Sequence, residues 1–243
     1  MTSPYLSIIL PAHNEECRLP ETLRQIEKYL SDKDFESELV IVENASSDAT
    51  LKIASEFAAQ WDRCRVLSEP IPGKGNAVRT GMLAARGAYR FICDADLSMS
   101  IDQVDAFLPP AHDHFDIAIG SREAPGAQRI DEPGYRHLIG RVFNTMVRWL
   151  TLPGLQDTQC GFKCFTAEAA NALFPLQQMT GWTFDVEILA IALRRGYKVV
   201  EVPIRWQYFP GSKVHVLRDS FHMAMDLVTI RRWLRKGKYD QPA

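Results

Sequence analysis

Tyr89-Arg90-Phe91-Ile92-Cys93-Asp94-Ala95-Asp96 is the stretch on which the reading of this chain turns. A short apolar run rich in aromatic and β-branched residues predicts a buried strand, and this one ends in two carboxylates. Residues two apart on extended backbone point to one face, so Asp94 and Asp96 can meet a single divalent cation. Hard oxygen ligands of this kind suit Mg²⁺ or Mn²⁺, with substrate phosphates completing the coordination. Asp94 and Asp96 are therefore the expected metal ligands and the expected catalytic centre.

The same design recurs upstream. Leu6-Ser7-Ile8-Ile9-Leu10 runs into Pro11-Ala12-His13-Asn14-Glu15, and Leu39-Val40-Ile41-Val42 runs into Glu43-Asn44-Ala45-Ser46-Ser47-Asp48. Val66-Leu67 is a weaker third strand, and Asp116-Ile117-Ala118-Ile119-Gly120 continues the series downstream. Helical spacing falls between them: Leu19, Leu23, Ile26 and Leu30; residues 48–57; Ala77, Val78, Gly81 and Ala85; then Leu138, Ile139, Val142, Met146 and Leu150. Alternating strands and helices predict a mostly parallel α/β sheet covered on both faces, with the ligand beyond the carboxyl ends of the strands. The Pro- and Gly-containing segment 124–134 is expected to be a mobile or lid loop.

Composition narrows the class. With 243 residues, 46% hydrophobic and 24% charged, the chain can bury a full core, which excludes disorder and collagen. No apolar run approaches the ~18 residues of a membrane span, and Met1-Thr2-Ser3-Pro4 does not open a signal peptide. Five cysteines without CxxC pairs read as reduced thiols, so a cytoplasmic location is expected. The net charge of −2 hides an asymmetry. Residues 194–243 hold 11 Lys/Arg and 4 Asp/Glu, net +7, whereas residues 1–193 hold 17 and 26, net −9. A basic end on an acidic body points toward a phosphate or a membrane surface. Nucleic acid is not expected, since no RNA or DNA motif accompanies those charges.

Other nucleotide motifs fail on spacing. Gly73-Lys74-Gly75 lacks the Ser or Thr of a Walker A loop, no GxGxxG follows the first strand, and no GxSxG elbow is present. A glycine-flanked Lys74 beside a DxD suits a nucleotide diphosphate instead.

Taken together, Pro11-Ala12-x-Asn14-Glu15, Glu43, Gly73-Lys74-Gly75-x-Ala77 and Asp94-x-Asp96 resemble family 2 glycosyltransferases of the GT-A fold. Gly120-Ser121-Arg122, Asp157-Thr158-Gln159-Cys160-Gly161-Phe162-Lys163, Trp182-x-Phe184-Asp185-Val186-Glu187 and Gly211-Ser212-Lys213 narrow the resemblance to dolichyl-phosphate β-glucosyltransferases and other polyprenyl-phosphate glycosyltransferases. It runs from about Leu6 to Trp233. It implies one GT-A domain over 1–243, with a nucleotide-sugar half (1–123), an acceptor half (124–215) and a basic amphipathic C-terminal helix and tail (216–243). Two departures stand out. Glu43-Asn44-Ala45-Ser46 replaces the family's Asp-Asp-Gly-Ser, and Leu97-Ser98 follows the DxD where the eukaryotic enzymes have a glycine. The N-terminal membrane anchor of those relatives is not seen either, which suggests a bacterial or archaeal cousin.

The resemblance implies inverting transfer from a nucleotide-diphosphate sugar, UDP-glucose foremost, to a polyprenyl phosphate at the cytoplasmic face of the membrane. Pro11, Ala12, Asn14, Glu15, Glu43, Lys74 and Asp94 would bind the donor, with Mg²⁺ or Mn²⁺ on Asp94 and Asp96. Arg122, Arg136, Gln159, Lys163, Arg205, Ser212 and Lys213 would hold the acceptor phosphate. A phosphate monoester, with a second pKa of about 6, is already a dianionic nucleophile at pH 7 and needs cations rather than a base. Asp185 becomes a candidate base only for a hydroxyl acceptor; otherwise it caps the following helix. Trp182, Trp206, Tyr208 and Phe209 read as core or rim aromatics; Arg231-Arg232-Trp233-Leu234-Arg235-Lys236 mixes basic and apolar groups as interfacial helices do, and the helix either packs on the sheet or also touches lipid with its last turns. Other nucleotide sugars (GDP-mannose, UDP-GlcNAc), a hydroxyl acceptor, and a non-catalytic nucleotide-binding module stay open.

Overall fold

A computed structural model of the chain describes residues 3–209 and 216–240. In chain order the elements are β1 (Leu6–Ala12), α1 (Leu19–Ser31), β2 (Ser37–Asn44), α2 (Thr50–Ala58), β3 (Cys64–Glu69), α3 (Lys74–Ala84), β4 (Tyr89–Ile92) and β5 (Ile117–Ser121). Then come β6 (Gln128–Ile130), α4 (Gly134–Leu150), β7 (Lys163–Thr166), α5 (Ala167–Leu173), α6 (Phe184–Arg194), β8 (Val199–Pro203), β9 (Arg205–Gln207) and α7 (Val216–Arg235).

The main sheet runs β3-β2-β1-β4-β7-β5-β8. Every pairing is parallel except the two made by β7, which lies antiparallel to both β4 and β5. Burial follows the pleat. Ile9, Val40 and Val42 face one core with Val78 and Met82 of α3, whereas Ile8, Leu10, Leu39 and Ile41 face another with Leu23 and Ile26 of α1. A strand apolar on both faces is what a sheet covered on both sides requires, and each such side chain contributes about 1.5–3 kcal/mol on burial.

Three features depart from the expected pattern or narrow it. The weak Val66-Leu67 signal belongs to a six-residue edge strand. The segment expected to be a lid contains β6, which pairs in parallel with β9 in a small second sheet, so its middle is tied down by backbone hydrogen bonding. The end of α7 does not turn its apolar groups outward: Trp233 and Leu234 pack against the core, and Trp233 meets the ring of buried Tyr239 at 6.3 Å. Among the described residues no helix is long and apolar enough to cross a membrane.

Parallel pairing puts the ends of β1, β2 and β4 at one edge of the sheet. Because β7 runs the other way, its first residue, Lys163, sits opposite Ile92 at the end of β4. The 156–162 turn thereby arrives beside Asp94 and Asp96.

Candidate active site

A cavity of about 840 Å³ opens at that edge. The turns after β1 and β2 make its first wall by bonding to one another. Asn14 accepts from the Ser47 amide at 2.8 Å and donates its own amide to the Ser46 hydroxyl at 3.1 Å, while the Glu15 amide donates to Thr50 at 2.7 Å. Asn44 organises the next turn. Its side-chain amide donates to the carbonyls of Glu69 and Ile71 at 2.9 and 2.8 Å, and its oxygen accepts from the Gly73 amide at 2.8 Å. The aspartate of the family pattern has no donor for those two carbonyls, so the substitution at 44 serves the loop that presents Lys74. Ala45 and Leu97, both standing where a glycine is usual, have φ of +50° and +44°. Both hold a left-handed backbone that glycine would adopt without strain.

Asp94 and Asp96 both line the cavity. The hydroxyl of Thr22 holds the intervening Ala95 carbonyl at 2.7 Å, and the Ser98 amide donates to Asp96 at 3.0 Å. Burial, then the charge of Asp94, pushes the Asp96 carboxyl up. Lys74 answers that charge, with its ammonium 2.6 Å from Asp94 and 5.4 Å from the Trp182 ring centre. Burial alone would lower the Lys74 ammonium, but Asp94 and Asp185 together raise it. Gly161 lies against Asp94 so closely that a Cβ there would come 2.0 Å from Oδ2. Two oxygen donors that repel each other, fixed at a cavity wall, fit a hard divalent cation. Among the described residues no three His, Cys, Asp or Glu groups cluster into a metal site.

Two arginines also line the cavity, each held by carboxylates. Arg122 forms a two-pronged pair with Asp157 at 2.6 and 2.9 Å, stacks on Trp206, and lines the cavity. Burial would raise the Asp157 carboxyl, but Arg122 outweighs it and draws it down to about 2. Arg129 also lines the cavity and is bracketed by Glu123 and Glu132, each at 2.6 Å.

The sequence profile of glycosyl transferase family 2 matches residues 7–174. The chain belongs to that family. Among curated family 2 relatives, a dolichyl-phosphate beta-glucosyltransferase of Trichomonas vaginalis is 35% identical over 96% of this chain and 72% of its own length. Those of Saccharomyces cerevisiae and Homo sapiens are 35% and 34% identical over 97% and 93% of this chain, and over 76% and 74% of their own. Of solved structures, glucosyl-3-phosphoglycerate synthase from Mycobacterium tuberculosis with UDP superposes at a TM-score of 0.68 and 18% identity, covering 99% of this chain and 82% of that one. Its complex with Mn²⁺, UDP-glucose and phosphoglyceric acid superposes at 0.67, with 17% identity and coverage of 99% and 81%. The fold is GT-A.

Within this family 2 site, Pro11, Ala12, Asn14, Glu15, Lys74, Asp94, Asp96, Arg122, Gln159 and Asp185 meet in one cavity. Glu43 is not brought into it; buried under the wall, its carboxylate accepts from the Ser46 amide and the Ser68 hydroxyl. Lys163 is not brought into it either. Only 2% exposed, its ammonium sits 2.7 Å from Asp185 and donates to the Cys160 carbonyl. Arg205 is exposed outside the cavity, 3.6 Å from Asp102. Ser212, Lys213 and the Arg136 side chain lie outside the described residues. Sequence reasoning passed over Arg18, which pairs with Glu15 at 2.8 Å, and over Arg129. Neither belongs to a motif, and only the folded turns bring them to the cavity.

Proposed function

We propose that this chain is an inverting glucosyltransferase that moves glucose from UDP-glucose to a polyprenyl phosphate, acting as a peripheral enzyme at the cytoplasmic face of the membrane. The observation that carries the reading is a single cavity lined by the paired carboxylates Asp94 and Asp96 together with Lys74, Arg122 and Arg129. The curated relatives named dolichyl-phosphate beta-glucosyltransferase support the acceptor class, and the neighbour crystallised with UDP-glucose and Mn²⁺ supports the donor and the metal.

Pro11, Ala12, Asn14 and Glu15 would take the nucleoside, and Lys74 the diphosphate, once it turns from Asp94. Asp94 and Asp96 would hold Mg²⁺ or Mn²⁺, which supplies positive charge where the departing diphosphate gains negative charge. Arg122, Arg129 and Gln159 would orient the acceptor phosphate. One phosphate oxygen then bonds to the anomeric carbon from the face opposite the leaving group, the bond to UDP breaks, and configuration inverts. No proton has to move, because the acceptor is already ionised. Asp185, paired with Lys163, acts in this scheme as a charged strut rather than a base.

The test offers UDP-glucose, GDP-mannose and UDP-GlcNAc with a polyprenyl phosphate and Mg²⁺ or Mn²⁺, and follows label into organic solvent. Metal-dependent, organic-extractable glucose is the expected result. Label transferred only to soluble acceptors would overturn the reading.

A further inference from the structure

Helix α4 has two faces. Gly140 and Asn144 line the cavity, and Val147 is buried. At about 100° per residue, Trp149, Val142 and Met146 stand roughly 180–240° around the helix from Gly140, facing away from the cavity. They form one apolar stripe on open surface: Trp149 is 85% exposed, Val142 57% and Met146 36%. Arg141 and Arg148, both exposed, lie along one side of the stripe, about 80–100° from Gly140, and residues 134–150 contain no Asp or Glu.

Helix α7 packs against α4 and repeats the pattern. Met223 lines the cavity, and Leu227 and Ile230 are buried. Met225 and Val228 are more than half exposed, and with exposed Arg232 and Arg235 they occupy the outer face, about 120–200° from Met223. Apolar side chains accompanied by arginines, with no acid in α4 and Asp226 of α7 taken up by the Thr183 hydroxyl, suit the headgroup region of an anionic bilayer, where a tryptophan sits at the boundary and each basic residue adds attraction.

We infer that the outer faces of α4 and α7, centred on Trp149, dock on an anionic lipid surface. In the last turn of α7 only Arg232 and Arg235 belong to this face, since Trp233 and Leu234 are committed to the core. Docking there rests on the lipid-phosphate reading of the acceptor: helices that wall the cavity on their inner sides and rest on lipid on their outer sides place the cavity beside the membrane from which a polyprenyl phosphate must come.

The test is sedimentation with phosphatidylcholine vesicles and with mixed phosphatidylcholine–phosphatidylglycerol vesicles. The wild-type chain should favour the mixed vesicles and release as salt rises. The variant W149E/M146E should bind at least tenfold more weakly. R141Q/R148Q should lose about fivefold per cation, the ~1 kcal/mol of a basic side chain near an anionic surface. Both variants should keep wild-type transfer to a short, water-soluble isoprenyl phosphate, which shows that they are folded. Wild-type protein that ignores mixed vesicles, or variants that bind them as well as wild type, would refute the inference. So would W149E/M146E converting a dimer to a monomer with vesicle binding unchanged, since the face would then belong to a second copy. Failure of the wild type to glucosylate the short acceptor would count against the acceptor reading, whatever the vesicles show.

Discussion

Lys163 and Asp185 make a test of whether a charge that looks functional in sequence is structural in the fold. The pair is 2.7 Å apart, with side chains 2% and 7% exposed. Lys163→Met keeps most of the aliphatic volume and leaves Asp185 buried with its nearest cation gone. Removing one member of a buried pair costs about 3–5 kcal/mol, a large part of the ~5–15 kcal/mol that holds a domain folded. Lys74, which also draws on Asp185, places the expected loss at the lower end, about 3 kcal/mol. Urea unfolding should show a lower midpoint with an unchanged slope. Lys163→Met/Asp185→Asn, which removes both charges, should recover much of the loss. The pH dependence has a definite sign. Burial already raises the Asp185 carboxyl, and loss of Lys163 raises it further. The native state then holds a proton that the unfolded chain releases, so the variant's deficit should shrink as pH falls and grow as it rises. A deficit below about 1 kcal/mol, or a double variant no more stable than the single one, would refute this reasoning.

Asp94→Asn or Asp96→Asn should lower turnover by about 10²–10³, the usual effect of removing a transition-state charge stabiliser, and weaken Mn²⁺ binding by calorimetry while the chain still unfolds in one cooperative urea transition. The two departures at 44 and 45 should respond to family residues with opposite signs. Ala45→Gly should raise stability by about 0.5–1 kcal/mol, since glycine takes φ of +50° without strain. Asn44→Asp should lose about 1–3 kcal/mol, because the Glu69 and Ile71 carbonyls lose their donor; thermal melts check both. For the Arg122–Asp157 pair, a carboxyl drawn down to about 2 contributes stability that is complete above the ordinary aspartate value near ~3.9 and lost as pH falls through about 2. Asp157→Asn should therefore be less stable than wild type at neutral pH and converge with it in strong acid, by urea titration at each pH.

The strands whose ends make the donor wall were legible because each is an apolar run stopped by polar residues, a pattern that states both the element and its edge. β7 was not legible. Its four residues, Lys163-Cys164-Phe165-Thr166, open on a lysine, and only a partner 22 positions on explains why a lysine can be buried there. β6 and β9, three residues each, are too short to show a period and exist because they pair with one another. Single residues were hardest to judge. Lys163 and Arg205 look alike as basic positions in the acceptor half, yet one neutralises a buried aspartate and the other lies out in solvent. Ala45 and Leu97 look like losses of glycine, but the neighbouring hydrogen bonds hold the same backbone turn.

The strand order also dictates when the sheet can be finished. β3, β2, β1 and β4 are mutual neighbours drawn from the first 92 residues, so a growing chain can assemble them as soon as they leave the ribosome. β5 follows by residue 121 but has no place to pair until β7, made some 40 residues later, slides between it and β4; β8 then pairs onto β5. A fragment cut before Lys163 would keep the nucleotide-side strands in contact and strand β5 alone. The acceptor side, by contrast, has no sheet to join unless the first half is already in place.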